Sequence, residues 1–230
     1  MPAPRTEPRT AVVTGARSGI GAAIARRLVG AGWSVIGLDL AVSSDPLPGL
    51  DERVLDLTDA GQIQAFTRSL PPVDALIHAA GFMRTGDLVA LDPADGEAMW
   101  AVHVRALVLL AQGLVPAMSA GGRLVAIGSR TSSGAAGKSQ YAACKAAVTA
   151  LVRSWAIELA PRGITANVIA PAATATAMLA DPTRTVAPVV PPIGRYIAPE
   201  EIAAYAEFLL SPEAGAITGQ ELLICGGASL

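Results

Sequence analysis

Three glycines within seven residues constrain this chain more than any other feature. Gly15, Gly19 and Gly21 stand between the apolar run Val12-Val13-Thr14 and the helical run Ala22–Val29, which closes on Gly30 and Gly32. Strand, glycine-rich turn and helix predict a mononucleotide-binding unit, in which helix-terminal N–H groups and the helix dipole meet a pyrophosphate. The spacing G-x-x-x-G-x-G differs from the G-x-G-x-x-G fingerprint, and no Gly-Lys-Ser/Thr follows, which excludes a P-loop. A plain tight turn is the other reading of the same residues.

The remaining apolar runs are short: Ser34–Leu38, Ala75–Ile77, Leu124–Ile127 and Thr165–Ile169. Runs without period-2 alternation suit a parallel sheet buried on both faces. Helical segments, Gly96–Val115 and Glu200–Leu210 among them, lie between or after these runs, so the expected fold is a doubly wound, Rossmann-type α/β domain. The 230 residues fit one such domain. The chain is 52 % hydrophobic with mean hydropathy +0.47, yet no run approaches the ~18 uninterrupted apolar residues of a membrane span. Residues 1–9 are proline-rich and read as a flexible lead-in, with the domain over 10–230. No secretion or anchoring signal is legible, so a cytoplasmic location is expected. A net charge of −2 with scattered basic residues gives no nucleic-acid footprint. Cys144 and Cys225 supply neither a disulfide framework nor a metal spacing.

Tyr141-Ala-Ala-Cys-Lys145 offers a proton and a means of making it mobile. Four residues apart on a helix, the two side chains share one face. A phenol titrates near ~10. An ammonium about 4 Å away contributes roughly 4 kcal/mol at an effective dielectric near ~20, enough to lower that pKa by up to about 3 before desolvation. Such a pair can work as a general acid-base near neutrality. The same spacing also occurs in ordinary surface helices, and Cys144 between the pair reads as a small buried filler.

Taken together, the motifs carry a resemblance. Thr14-Gly15-Ala-Arg-Ser-Gly19-Ile20-Gly21 resembles the T-G-x-x-x-G-I-G motif of the short-chain dehydrogenase/reductase family, and Tyr141 with Lys145 matches its Y-x-x-x-K. His78-Ala79-Ala80-Gly81 is similar to N-N-A-G, and Asn167-Val-Ile-Ala-Pro171 to N-x-I-x-P-G, with Ala172 replacing the glycine. Pro192-Ile-Gly194-Arg195, Pro199-Glu200-Glu201-Ile-Ala and the tail from Ile217 to Gly227 follow in the family's order. On these motifs, running from about Thr10 to Ser229, the chain is identified as a member of that family.

The resemblance implies hydride transfer between a secondary alcohol or ketone and a nicotinamide cofactor. Tyr141 and Lys145 become the catalytic pair. Ser129 becomes the hydroxyl that holds the substrate oxygen, although it precedes Tyr141 by 12 residues where 13 is common. One deletion in the loop Thr131–Gly137 accounts for the difference, and Ser132 and Ser133 read as solvated loop residues. His103 replaces the family Asn that holds a water linking the lysine to solvent. An imidazole can also hold a water and would titrate near neutrality; it can equally just pack. His78 reads as a residue of the cofactor wall.

For the cofactor, the implied residues are Gly15, Arg17, Ser18, Gly19, Ile20 and Gly21 at the phosphates, with Asp56 and Leu57 beside the adenine. Ala79, Ala80 and Gly81 line the ribose; Tyr141, Lys145, Pro171, Thr174 and Thr176 complete the nicotinamide end. Asp39 ends the second strand 18 residues past Gly21, near where an acidic residue meets the adenosine ribose. Its carboxylate would repel a 2′-phosphate, and Ser18 and Leu40 stand where NADPH users place a base. NAD is therefore expected over NADP, with Arg17 the one opposing cation. No metal is expected.

For the substrate, the segment 177–193 resembles the family's lid, with Asp181 and Arg184 its only charges. It implies a small substrate, possibly one that is cyclic or carries a carboxylate clamped by Arg84 or Arg130; both arginines can also be read as solvated. The runner-up activity is that of a 3-oxoacyl carrier-protein reductase, and a third reading is a regulatory protein that binds NAD without turnover. Family members pair through the Tyr-Lys helix and the helix before it. Apolar residues on all faces of Val102–Val115 add a physical motive, so a homotetramer or homodimer is expected.

Overall fold

A computed structural model of the chain describes residues 8–43, 45–181 and 187–230. Its strands are β1 (Thr10–Thr14), β2 (Ser34–Asp39), β3 (Leu50–Val54), β4 (Ala75–His78), β5 (Arg123–Ile127), β6 (Thr165–Pro171) and β7 (Glu221–Ile224). They form one parallel sheet in the order β3-β2-β1-β4-β5-β6-β7. Helices α1 (Gly19–Gly30) and α6 (Pro199–Leu210) cover one face. The other is covered by α2 (Ala60–Ser69), α3 (Pro93–Trp100), α4 (Ala106–Leu114) and α5 (Ser139–Leu159).

Burial on both faces explains the unbroken apolar runs. In β1, Val12 joins the core under α4 and α5, while Ala11 and Val13 join the one under α1 and α6. β5 divides in the same way: Leu124 and Ala126 face one core, Val125 and Ile127 the other. A strand with no solvent face has no use for alternation. β3 is the exception. Its sequence, Leu-Asp-Glu-Arg-Val, carries no apolar run: at this edge of the sheet its side chains are largely exposed, and Arg53 pairs with Asp51 on the surface. Charges on an edge discourage pairing with another chain, and they also hide the strand from a reading based on hydrophobic runs.

All seven strands end at the same side of the sheet. β1 is the switch point, with β2 and β3 built outward on one side and β4 onward on the other. The crevice outside such a point is where α/β sheets bind ligands. There the Thr14 hydroxyl oxygen accepts the Ala79 and Ala80 N–H groups, each at 3.0 Å, and lies 3.1 Å from Nδ1 of His78. Nε2 of His78 donates to the Val102 carbonyl at 3.1 Å. A carbonyl only accepts, so the proton sits on Nε2 and the Thr14 hydroxyl donates to Nδ1.

That last bond accompanies a departure from expectation. The helix expected over Gly96–Val115 is interrupted by a π-helical turn at Ala101–Arg105, where Ala106 N–H reaches back five residues to the Ala101 carbonyl. His78, arriving from β4, takes up the Val102 carbonyl. Such turns concentrate at functional sites, and this one carries His103 into the crevice.

The full helical stretch Pro93–Ala117 is long and apolar enough to cross a membrane by length and composition alone, and 56 % of its apolar window is buried inside this fold. Leu107, Leu110 and Leu114 pack into the core. The burial of this helix against its own sheet thus accounts for most of the apolar residues that had suggested a partner.

Candidate active site

α5 presents Tyr141 and Lys145 on one buried face, 8 % and 5 % exposed. The Lys145 ammonium lies 5.7 Å from the Tyr141 ring centroid and donates to the Ile127 carbonyl at 2.7 Å. Burial pushes its pKa down to about 8. Ser129, at the end of β5, accepts from Thr131 N–H at 3.2 Å. Cys144 points into the core, where desolvation raises its thiol pKa and removes any nucleophilic role.

These groups line a cavity of about 960 Å³. Of the residues expected there from sequence, it brings together Gly15, Ser18, Gly19, Ile20, Ala79, Ala80 and Gly81, along with His103, Ser129, Arg130, Tyr141 and Lys145. Pro171, Thr174 and Thr176 complete that group. Gly21 lies directly beneath. A Cβ on Gly21 would stand 2.2 Å from the Gly15 carbonyl oxygen, and one on Gly15 (φ +68°) would stand 2.9 Å from Ala80 Cα. Ser18 leaves the start of α1 without a side-chain cap, and its first turn holds no acidic residue. Close backbone packing with uncapped helix N–H groups fits a dinucleotide pyrophosphate.

Arg17, Asp39, Asp56 and Leu57 stand outside the cavity, at the β2 and β3 side of the crevice. The Asp39 carboxylate is held by two backbone groups, Arg17 N–H at 3.0 Å and Leu40 N–H at 2.8 Å. Asp56 caps the following turn through Thr58, and Leu57 is buried.

The expected substrate arginines separate. Arg130 lines the cavity, whereas Arg84 does not. Arg84 is engaged by Asp181 at 3.4 Å and Asp95 at 3.8 Å, and its guanidinium lies 5.0 Å from the centre of the Phe82 ring. Arg184 lies outside the described residues. Two cavity residues had no sequence signal beyond their position in the Ser-to-Tyr loop: Thr131 and Lys138. Ser132, expected to be solvated, donates to Glu221 at 2.8 Å and ties that loop to β7.

His103 differs most from expectation. It is 1 % exposed, its Nε2 donates to the Phe82 carbonyl at 2.7 Å, and its ring meets Tyr141 edge-on with centroids 5.6 Å apart. Nδ1 is therefore an acceptor, and it has no partner among the described residues. Gly81 makes the room, since a Cβ there would stand 2.1 Å from the imidazole Cε1. Desolvation first, and the Lys145 charge second, hold the His103 pKa well below its ordinary value. The expectation that it titrates near neutrality is thus corrected. His78 is held down to about 3, chiefly by burial and then by Lys145.

Comparison with known proteins identifies the family. A family model described as Enoyl-(Acyl carrier protein) reductase matches residues 15–229. The 3-oxoacyl-acyl-carrier-protein reductase FabG of Thermotoga maritima is 34 % identical over 97 % of this chain and 98 % of its own. Dehydrogenase/reductase SDR family member 6 of Rattus norvegicus is 30 % identical, covering 98 % of this chain and 99 % of its own. Among solved structures, a short-chain dehydrogenase from Burkholderia cenocepacia in complex with NADP superposes with a TM-score of 0.86 at 30 % identity, covering 99 % of this chain and 100 % of that one.

The chain belongs to the short-chain dehydrogenase/reductase family. Within it, the protein is an NAD(P)-dependent oxidoreductase acting on a small substrate.

The titration pattern has a kinetic consequence. A reduction that used the Tyr141 proton and a charged Lys145 would depend on the lysine staying protonated. As pH rises through about 8 the lysine loses its charge, so kcat/KM for reduction should fall there. Both imidazoles stay neutral down to well below neutrality, so His103→Asn should leave the acid side of the profile unmoved. An acid limb that disappears in His103→Asn would contradict this assignment.

Proposed function

We propose that the protein is a ketoreductase for 3-oxoacyl thioesters or ketones of similar shape, using NAD(H). The observation that carries the substrate class is the recurrence of 3-oxoacyl-acyl-carrier-protein reductases among its relatives. Those of Thermotoga maritima, Vibrio cholerae and Vibrio harveyi are 34–35 % identical over nearly full length. Arg130 and Lys138 on the cavity wall support an anionic carrier. The competing reading, a cyclic hydroxy acid clamped by arginine, is weakened because Arg84 already pairs with two aspartates. A regulatory protein without turnover would have no use for the Tyr141–Lys145 pair.

When bound, the cofactor supplies or accepts the hydride. The chain's own residues position and protonate. Tyr141 gives its proton to the ketone oxygen, Ser129 donates a hydrogen bond to that oxygen, and Lys145 lowers the phenol pKa and faces the nicotinamide ribose. Gly15 to Gly21 hold the phosphates, with Asp56 and Leu57 beside the adenine. Ala79 to Gly81 line the ribose, and Pro171, Thr174 and Thr176 hold the nicotinamide end. Of the described residues in the lid-like stretch, Met178, Leu179 and Val189 line the cavity. His103 holds a water through Nδ1.

Asp39 supports NAD over NADP. Its carboxylate is pinned by two N–H groups, so it cannot swing away from a 2′-phosphate carrying about −1.5 to −2 charges. Self-association is supported by large apolar side chains left at the surface: Ile157 at 79 % exposure, Leu223 at 52 % and Phe208 at 41 %.

The deciding experiment is a reduction panel with acetoacetyl-CoA and simple ketones with and without a carboxylate. Thioester reduction should dominate, and Tyr141→Phe should abolish turnover while NADH still binds. A preference for carboxylated cyclic substrates would return the hydroxy-acid reading. Asp39→Ala should move the NAD/NADP ratio of kcat/KM toward NADP by roughly 10-fold or more. A wild-type preference for NADP would refute the role of Asp39. Sedimentation at micromolar concentration should report a dimer or tetramer; a monomer would count against pairing.

A further inference from the structure

Ser129 is engaged by a neighbour that no motif marks. Its Oγ lies 2.9 Å from Thr131 Oγ1, and the Thr131 N–H donates to the same oxygen at 3.2 Å. Both side chains line the active cavity. The turn that carries Thr131 is held closely. Ser132 N–H donates to the Ser129 carbonyl at 3.0 Å and Gly134 N–H to the Thr131 carbonyl at 2.9 Å. Glu221 of β7 then accepts from Ser132 Oγ at 2.8 Å and from Thr149 Oγ1 of α5 at 3.1 Å. Thr131 is therefore fixed over Ser129 from two elements.

A serine hydroxyl has one proton and two lone pairs. The Thr131 N–H fills one lone pair. In the 2.9 Å contact two arrangements are open. If Ser129 donates, its only proton points at Thr131 and is lost to the substrate. If Thr131 donates, both Ser129 lone pairs are occupied and its proton is left for the cavity. A ketone oxygen has no proton to offer and can only accept, so only the second arrangement serves it. It serves the reverse reaction too: an alcohol oxygen passes its own proton to Tyr141 while still accepting from Ser129.

We propose that Thr131 is a positioning residue whose hydroxyl keeps Ser129 a dedicated hydrogen-bond donor to the substrate oxygen. This rests on the reading of Ser129 given above. Thr131 acts through Ser129 and takes no part in the proton transfer itself.

The test uses the full chain with acetoacetyl-CoA and NADH or NADPH, or the ketone that the panel shows to turn over fastest. Ser129→Ala should lower kcat by about 100-fold, the range for losing one donor to a developing oxyanion. Thr131→Val keeps the volume and removes the hydroxyl; kcat should fall on the order of 10-fold with KM within roughly twofold. Thr131→Ser keeps the hydroxyl and removes a methyl; it should stay within about threefold of wild type. In a Ser129→Ala background, Thr131→Val should cost nothing further, because the group it positions is gone. NADH affinity and Tm should be unchanged in each, and Thr131→Ala replaces the valine variant if that does not fold. A packing role would reverse the order of the valine and serine variants. Either that reversal, or an undiminished loss in the Ser129→Ala background, overturns the proposal. A fully active Ser129→Ala refutes the reading of Ser129 itself, and the role of Thr131 with it.

Discussion

The Thr14 hydroxyl is the atom on which the site's rigidity depends. It accepts two backbone N–H groups from the end of β4 and donates to His78, so one oxygen joins the cofactor turn to the neighbouring strand. Each unmade bond to a buried N–H would cost about 1–3 kcal/mol. From there the connection runs through His78 to the Val102 carbonyl, along the π-helical turn to His103, and through its Nε2 to the Phe82 carbonyl. Phe82 follows Gly81 in the loop leaving β4. The path is a closed ring of backbone and two imidazoles around the cofactor wall.

That ring explains two departures from the family pattern as one arrangement. Histidine stands at 78 and 103, where the motifs carry asparagine. An imidazole reaches farther than an amide, and each ring here uses Nε2–H to hold a backbone carbonyl, that of Val102 or of Phe82. Gly81 lacks a side chain because the His103 ring occupies the space its Cβ would need. Both rings are buried beside Lys145, so neither takes a proton at working pH. Two bases that titrate near neutrality in water thus become fixed, neutral hydrogen-bonding struts. The lysine experiences the same burial, which brings it down to about 8, so it keeps its charge at neutral pH and loses it just above.

The Ser-to-Tyr loop shows a second form of fixing. It is one residue shorter than the common spacing, and it is stapled by Glu221 to β7 and α5 rather than left solvated. A short, tied loop sets the hydroxyl of Thr131 against Ser129. A serine that caps its own turn and also served a substrate would depend on a neighbour to direct its proton.

Much of this molecule was legible in the amino-acid sequence. Unbroken apolar runs indicated a sheet buried on both faces, and the glycine spacing indicated where a polyanion meets a helix. Tyr141 and Lys145, four residues apart, were bound to share a helix face. These are local properties, determined by side-chain periodicity and by the room a missing Cβ leaves. What only the tertiary structure decided depends on residues far apart in the chain. The edge strand β3 carries no apolar signal, because its side chains are left largely exposed. The π-helical turn is accompanied by His78, 24 residues away, taking a carbonyl. Arg84 looked like a substrate clamp until Asp95 and Asp181 were brought beside it. The neutrality of His103 was invisible because an isolated imidazole titrates near neutrality, whereas burial and then the nearby lysine charge push this one down. Desolvation and long-range pairing are sums over the folded surroundings, and no window of sequence contains them.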